Sequence, residues 1–141
     1  MKSINIRAFK AFKYKAHGID SVFYTLKWKG NRVGLKLFQS PSECNKIRRF
    51  QVKGFRGGVA PAVLGATFKV IATNGSAFGY GYLTEIADVD SRRIYKKEVY
   101  EPLCELFNKV FGFYHTDFHE GNVGYVEVGN QKRLVYVDFG F

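Results

Sequence analysis

Acidic residues are scarce in this chain: 12 Asp and Glu stand against 22 Lys and Arg, a net charge of +10 over 141 residues. An imbalance of this size attracts something acidic, whether nucleotide, nucleic acid, anionic lipid or acidic protein. Cysteine is nearly absent. Cys44 and Cys104 fall in no metal-ligand spacing, which leaves two buried, reduced thiols and no disulfide framework. No apolar run approaches the length that spans a bilayer. The opening MKSINIRAFKAFKYKAHG alternates basic and apolar residues and lacks a signal peptide's unbroken apolar core. A cytoplasmic protein without a membrane partner is expected. Internal repeats and low-complexity stretches are also missing.

What the chain does have is apolar mass. It is 46% hydrophobic and 17% aromatic, enough at this length for one domain with a real core. A first strand is expected over Ile4, Ile6, Ala8 and Phe9. A hairpin follows, Ser21 to Trp28 and Val33 to Phe38, turning at Gly30-Asn31. Ser40-Pro41-Ser42-Glu43 spells a capping box, so a helix should run from there to about Phe55, with Ile47, Phe50 and Val52 inward and Gly57-Gly58 stopping it. Thr67 to Thr73 and Phe78 to Ile86 read as strands turning at Asn74-Gly75. A second helix should run from Arg92 to Val110, capped by Asp90 or Ser91 and kinked or split at Pro102. Last comes a hairpin, Val123 to Val128 and Leu134 to Val137. Strands first, then helix and hairpin, predict an α+β domain.

The chemistry concentrates near the end, in YHTDFHEGNVGYVEVGNQKRLVYVDFGF. Asp117 and Asn122 stand five positions apart behind His115, and Asp138-Phe139-Gly140 follows a strand, turn and strand. A carboxylate beside a reacting hydroxyl can orient it and accept its proton. An amide oxygen and a second carboxylate are hard ligands suited to magnesium. Turn formation by Asp and Asn does not account for their joint spacing.

In this ordered set the chain resembles the protein-kinase-like superfamily. His115-Thr116-Asp117-Phe118-His119-Glu120-Gly121-Asn122 looks like its catalytic loop, and Asp138-Phe139-Gly140 like its metal-binding motif. The H-x-D-x-H-x-G-N form is closer to the atypical and aminoglycoside-phosphotransferase-like kinases than to those with H-R-D. The resemblance implies Asp117 as catalytic base, Asn122 and Asp138 as Mg2+ ligands, and ATP as cofactor. Upstream, Val33-Gly34-Leu35-Lys36 resembles the V-A-I-K strand, which implies that Lys36 contacts the phosphates and Glu43 pairs with it. Gly18 to Ser21 takes the place of the phosphate-covering loop, with one glycine of the usual three. Tyr82 to Ala87 looks like the hinge, where the backbone of Glu85 and Ala87 would meet adenine.

The resemblance implies a single kinase-like domain over 1–141, with an antiparallel-sheet N-lobe at 1–86 and a reduced C-lobe at 87–141: helix, catalytic loop and β-hairpin. Thr116 stands where many protein kinases have the Arg that reads a phosphorylated activation segment. That segment and a peptide platform are expected to be missing after Gly140, and the compactness this implies suggests a phage or mobile element. The implied function is a minimal ATP-dependent phosphotransferase that passes the γ-phosphate to a hydroxyl of an unknown acceptor, a protein among the candidates. Two alternatives stay open: a kinase-derived module that binds or inhibits an acidic protein partner with little chemistry, and a basic nucleic-acid-binding protein, the less favoured of the readings. His115 is expected to serve as a hydrogen-bonder below the loop, and the aromatics Phe107, Phe111, Phe113 and Tyr114 as core.

Overall fold

Among the described residues there are ten strands and α-helices, and what separates the first two is a single side chain. Strand β1 (Lys2–Asn5) stops because the Asn5 Oδ1 accepts the Arg7 N–H at 2.9 Å and folds Ile6–Ala8 into a 3-10 turn. Strand β2 (Lys10–His17) then starts afresh, so of the expected strand over Ile4, Ile6, Ala8 and Phe9 only Ile4 is in a strand, while Ile6 and Ala8 lie in the turn. The structure, a computed structural model, describes residues 1–17, 21–71, 79–89, 96–115 and 122–137, without the side chains of residues 11, 12 and 14–17.

The remaining elements are β3 (Ser21–Trp28), β4 (Asn31–Phe38), α1 (Pro41–Arg56), β5 (Val63–Ile71), β6 (Tyr80–Thr84), α2 (Lys97–Phe111), β7 (Val123–Val128) and β8 (Gln131–Tyr136). The arrangement is α+β, with a mixed sheet and two helices. By internal contacts the chain falls into two units, Met1–Arg49 with Val63–Ile86, and Phe50–Ala62 with Ala87–Phe141. Among the described residues no helix is long and apolar enough to cross a membrane.

The first unit is a six-stranded sheet in the order β1-β5-β6-β4-β3-β2. Every pairing is antiparallel except β1 with β5. The β3–β4 hairpin turns at Lys29-Gly30, both with positive φ, one residue before the expected Gly30-Asn31, because Asn31 already pairs with Trp28 at the start of β4. Alternation puts Leu26, Val33, Leu35, Leu37 and Leu83 on one face, where they pack with Phe9, Phe68 and Val70. Ser40 caps α1 as the sequence predicts, its Oγ accepting the Glu43 N–H at 3.2 Å. The Arg48 guanidinium donates from Nε and Nη2 to the Gly65 carbonyl at 3.1 and 2.8 Å, and Thr67 donates to Asn45 at 3.0 Å. These bonds hold the first turns of α1 to the bulged start of β5.

The second unit is built round Phe107, which is wholly buried. Its ring meets Phe111 at 4.6 Å, Tyr136 at 4.9 Å, His115 at 5.2 Å and Phe113 at 5.7 Å between centroids. Helix α2 runs unbroken through Pro102. That proline lies in the second turn, so the only backbone acceptor it deprives is Glu98, an exposed first-turn residue whose carbonyl water can satisfy. The helix opens after Lys96 with no side-chain cap, and the expected caps Asp90 and Ser91 lie outside the described residues. Gly112, at φ 85°, ends it. The hairpin β7–β8 completes the unit, and the Tyr136 N–H donates to the Val59 carbonyl at 2.8 Å.

Candidate functional site

Lys36 sits at the centre of three strands. Cross-strand register puts Phe23 of β3 on one side of it and Tyr82 of β6 on the other, and residues in register share a face. Its ammonium lies 5.9 Å from the Tyr82 ring centroid, and the side chain is half-buried. Two residues back on the same face is Gly34. A Cβ there would fall 2.6 Å from the tip of the Phe23 ring and 3.0 Å from the Thr84 methyl. The glycine therefore makes the notch in which the Phe23 ring lies. The opposite face shows a second close approach, where a Cβ on Gly81 would meet the Lys36 carbonyl oxygen at 2.6 Å.

Glu43 is held by its part in the cap. It lies half-buried in the first turn of α1, and among the described residues it makes no ion pair with Lys36. Ser21 opens β3 opposite Phe38. Gly18 lies outside the described residues.

The expected hinge begins where β6 leaves the sheet. Thr84 is the last paired residue, opposite Gly34 and Val63, and its hydroxyl donates to the Glu85 carbonyl at 3.1 Å. Glu85 to Ala87 continue without strand pairing, half-buried. Asp88 then forms an isolated antiparallel bridge with Tyr125 of β7, each N–H donating to the other's carbonyl at 2.8 Å. This bridge requires Gly124, where a Cβ would come within 2.8 Å of the Asp88 oxygen.

Asn122 is buried, immediately ahead of β7. Its carbonyl accepts the Val137 N–H at 2.8 Å, one step beyond the Val123–Tyr136 pair, and so closes the open end of the hairpin. Asp138 is the next residue in sequence. Asp138 and Asp117, like Thr116, His119, Phe139 and Gly140, lie outside the described residues. Among the described residues no group of three or more His, Cys, Asp and Glu could hold a metal ion.

His115 stacks flat on the Tyr136 ring, 4.7 Å between centroids with planes 4° apart. The Tyr136 hydroxyl meets the Cys104 thiol at 3.4 Å; burial first, and this contact second, push its phenol well above the usual range. Sequence reasoning missed Phe23 in the first unit and Gly124 and Tyr136 in the second, and it read Tyr82 as the start of the hinge where it pairs with Lys36. The signal for two of them was glycine inside a strand, at Gly34 and Gly124, which marks a close approach of something else.

Residues 79–141, a little under half of the chain, match the model of a family described as the ABC1 atypical kinase-like domain. No curated protein matches the chain. The matched span contains Glu85, Ala87, Asp117, Asn122 and Asp138, while Lys36 and Glu43 precede it. The match supports a link between this chain and the kinase-like superfamily.

Proposed function

We propose that the chain is an ATP-dependent phosphotransferase acting on a hydroxyl acceptor. The observation that carries this reading is the kinase-like family match over residues 79–141, which spans the ordered set Asp117, Asn122 and Asp138. Lys36, outside the match, supports it independently, as a half-buried cation at the centre of a sheet.

The roles follow from the chemistry of each group. Lys36 would neutralise charge on the nucleotide's phosphates, and the backbone of Glu85 and Ala87 would hold adenine. Gly18 to Ser21 would lie over the phosphates, and Glu43 would steady Lys36 in the nucleotide-bound protein. Asp117 would orient the acceptor hydroxyl and take its proton. The hard side-chain oxygens of Asn122 and Asp138 suit Mg2+, and the backbone carbonyl of Asn122 accepts the Val137 N–H. Bound Mg2+ supplies charge neutralisation to a transfer that depends mostly on positioning.

The test uses the full chain with labelled ATP and Mg2+. Transfer to itself or to an added acceptor is expected, and Asp117→Ala should abolish it. Mg-ATP should also raise the thermal midpoint of the wild type and less so that of Lys36→Ala. Absence of both label and thermal shift would sink the proposal.

A further inference from the structure

The excess of positive charge is concentrated at one end of the chain. Residues 1–38 carry nine Lys or Arg and one acidic residue, Asp20. The fold lines part of this charge up. In β2–β3 register Lys10 stands directly opposite Lys27, and in β3–β4 register Lys27 stands directly opposite Arg32. Lys13, opposite Thr25, shares their face, because Thr25 and Lys27 are two residues apart on one strand. All four are exposed, and among the described residues none of them makes an ion pair.

Like charges directly opposite one another destabilise a sheet. Three in a row across adjacent strands are therefore kept at a cost that an anionic partner would relieve. With strands about 4.8 Å apart, the outer cations of the row are separated by roughly 10 Å. The row is exposed along its length, so these four side chains do not enclose a small anion. It can meet a ligand that carries one charge per repeat and bind it through release of counterions.

From this we infer that the Lys10–Lys27–Arg32 row, with Lys13, is a docking surface for single-stranded nucleic acid. A bilayer is the poorer occupant. The large exposed apolar residues, Met1, Phe55, Leu64 and others, include none of the described side chains of β2, β3 or β4, so no described side chain beside the row could insert. An acidic protein would need a run of consecutive carboxylates, whereas a phosphodiester strand presents its charges regardless of sequence. The inference needs neither ATP nor the residues assigned to phosphotransfer, so it stands or falls apart from that reading.

Fluorescence anisotropy of labelled oligo(dT) of 20 nucleotides, titrated with the full chain at several salt concentrations, tests it. Four phosphate contacts predict a log–log salt slope of about −3. Lys27→Glu puts a carboxylate between Lys10 and Arg32; it should lower affinity at least tenfold at low salt while leaving the thermal midpoint equal or higher, which separates lost binding from lost folding. Lys10→Gln with Lys13→Gln should flatten the slope by about 1.4. Lys109→Gln with Lys132→Gln, removing the same charge elsewhere, should change affinity less than twofold. No binding at low salt, wild-type affinity in Lys27→Glu, or an equal effect of the Lys109 and Lys132 pair would overturn the inference. So would binding to phosphatidylserine vesicles or to poly-glutamate without binding to the oligonucleotide.

Discussion

The ring of Phe23 rests in the notch left by Gly34, its tip 2.6 Å from where a Cβ would stand. At Gly81 the atom in the way is the Lys36 backbone oxygen, at the same distance. A half-buried ring can swing aside, but a carbonyl in a sheet ladder cannot. Gly34→Ala is therefore expected to lose about 1 kcal/mol and Gly81→Ala about 3 kcal/mol of stability. In the Gly34→Ala background, Phe23→Leu should restore part of the loss. Urea unfolding of the three variants checks this, and equal losses at the two glycines would refute it.

Cys44 offers a test by pH. Burial pushes its thiol up to about 12 from a usual 9.0, outweighing the opposite pull of the Arg48 charge. The unfolded chain therefore releases this proton first as the pH rises. Its contribution to stability is complete below pH 9 and falls by about 1.4 kcal/mol per pH unit until the folded thiol ionises. Tyr136 adds a loss of the same sign at higher pH. Denaturant unfolding between pH 8 and 10 should show this decline, and Cys44→Ala should remove most of it. A wild-type profile that rises over that range would contradict the assignment.

Short-range chemistry was legible in the sequence; pairings over long distances were not. The cap at Ser40 and the turn at Gly30 depend on neighbours a few residues away; the cap formed as expected and the turn lies one residue earlier, at Lys29-Gly30. The parallel pairing of β1 with β5 joins Ile4 to Val70, and nothing in either strand names its partner. Gln51 was invisible for another reason. A polar residue between Phe50 and Val52 reads as surface, yet it is wholly buried because the Pro61 carbonyl accepts its amide at 3.0 Å. His115, expected as a hydrogen-bonder, also packs its ring against Phe107 and Tyr136. Of the candidate site, the motifs showed residue types and order, while the Gly34 notch and the Asp88–Tyr125 bridge needed coordinates.

That bridge predicts a local response. Gly124→Ala would drive a methyl into the Asp88 backbone and part the two 2.8 Å hydrogen bonds. At about 1 kcal/mol for each bond, the loss should be near 2 kcal/mol. Amide exchange should show Asp88 and Tyr125 losing protection while Val137, bonded to Asn122, keeps its own. Unchanged exchange at Tyr125 would mean that the bridge contributes little to this edge of β7.

Asn122 has two roles to separate, because its backbone closes the hairpin and its side chain is the proposed Mg2+ ligand. Substitution leaves the Val137 hydrogen bond in place, so Asn122→Ala and Asn122→Asp alter the buried side chain alone. Asp keeps an oxygen donor at this position; Ala does not. In Mg2+ titrations at fixed ATP, Asn122→Ala should raise the half-saturating Mg2+ concentration at least tenfold, about 1.4 kcal/mol. Asn122→Asp should stay within threefold of the wild type, whatever each variant does to the thermal midpoint without nucleotide. If both bind Mg2+ and ATP as the wild type does, the side chain is structural and the metal must be held by other groups. If Asp fails as badly as Ala, the site needs the amide's hydrogen-bond donor as well as its oxygen.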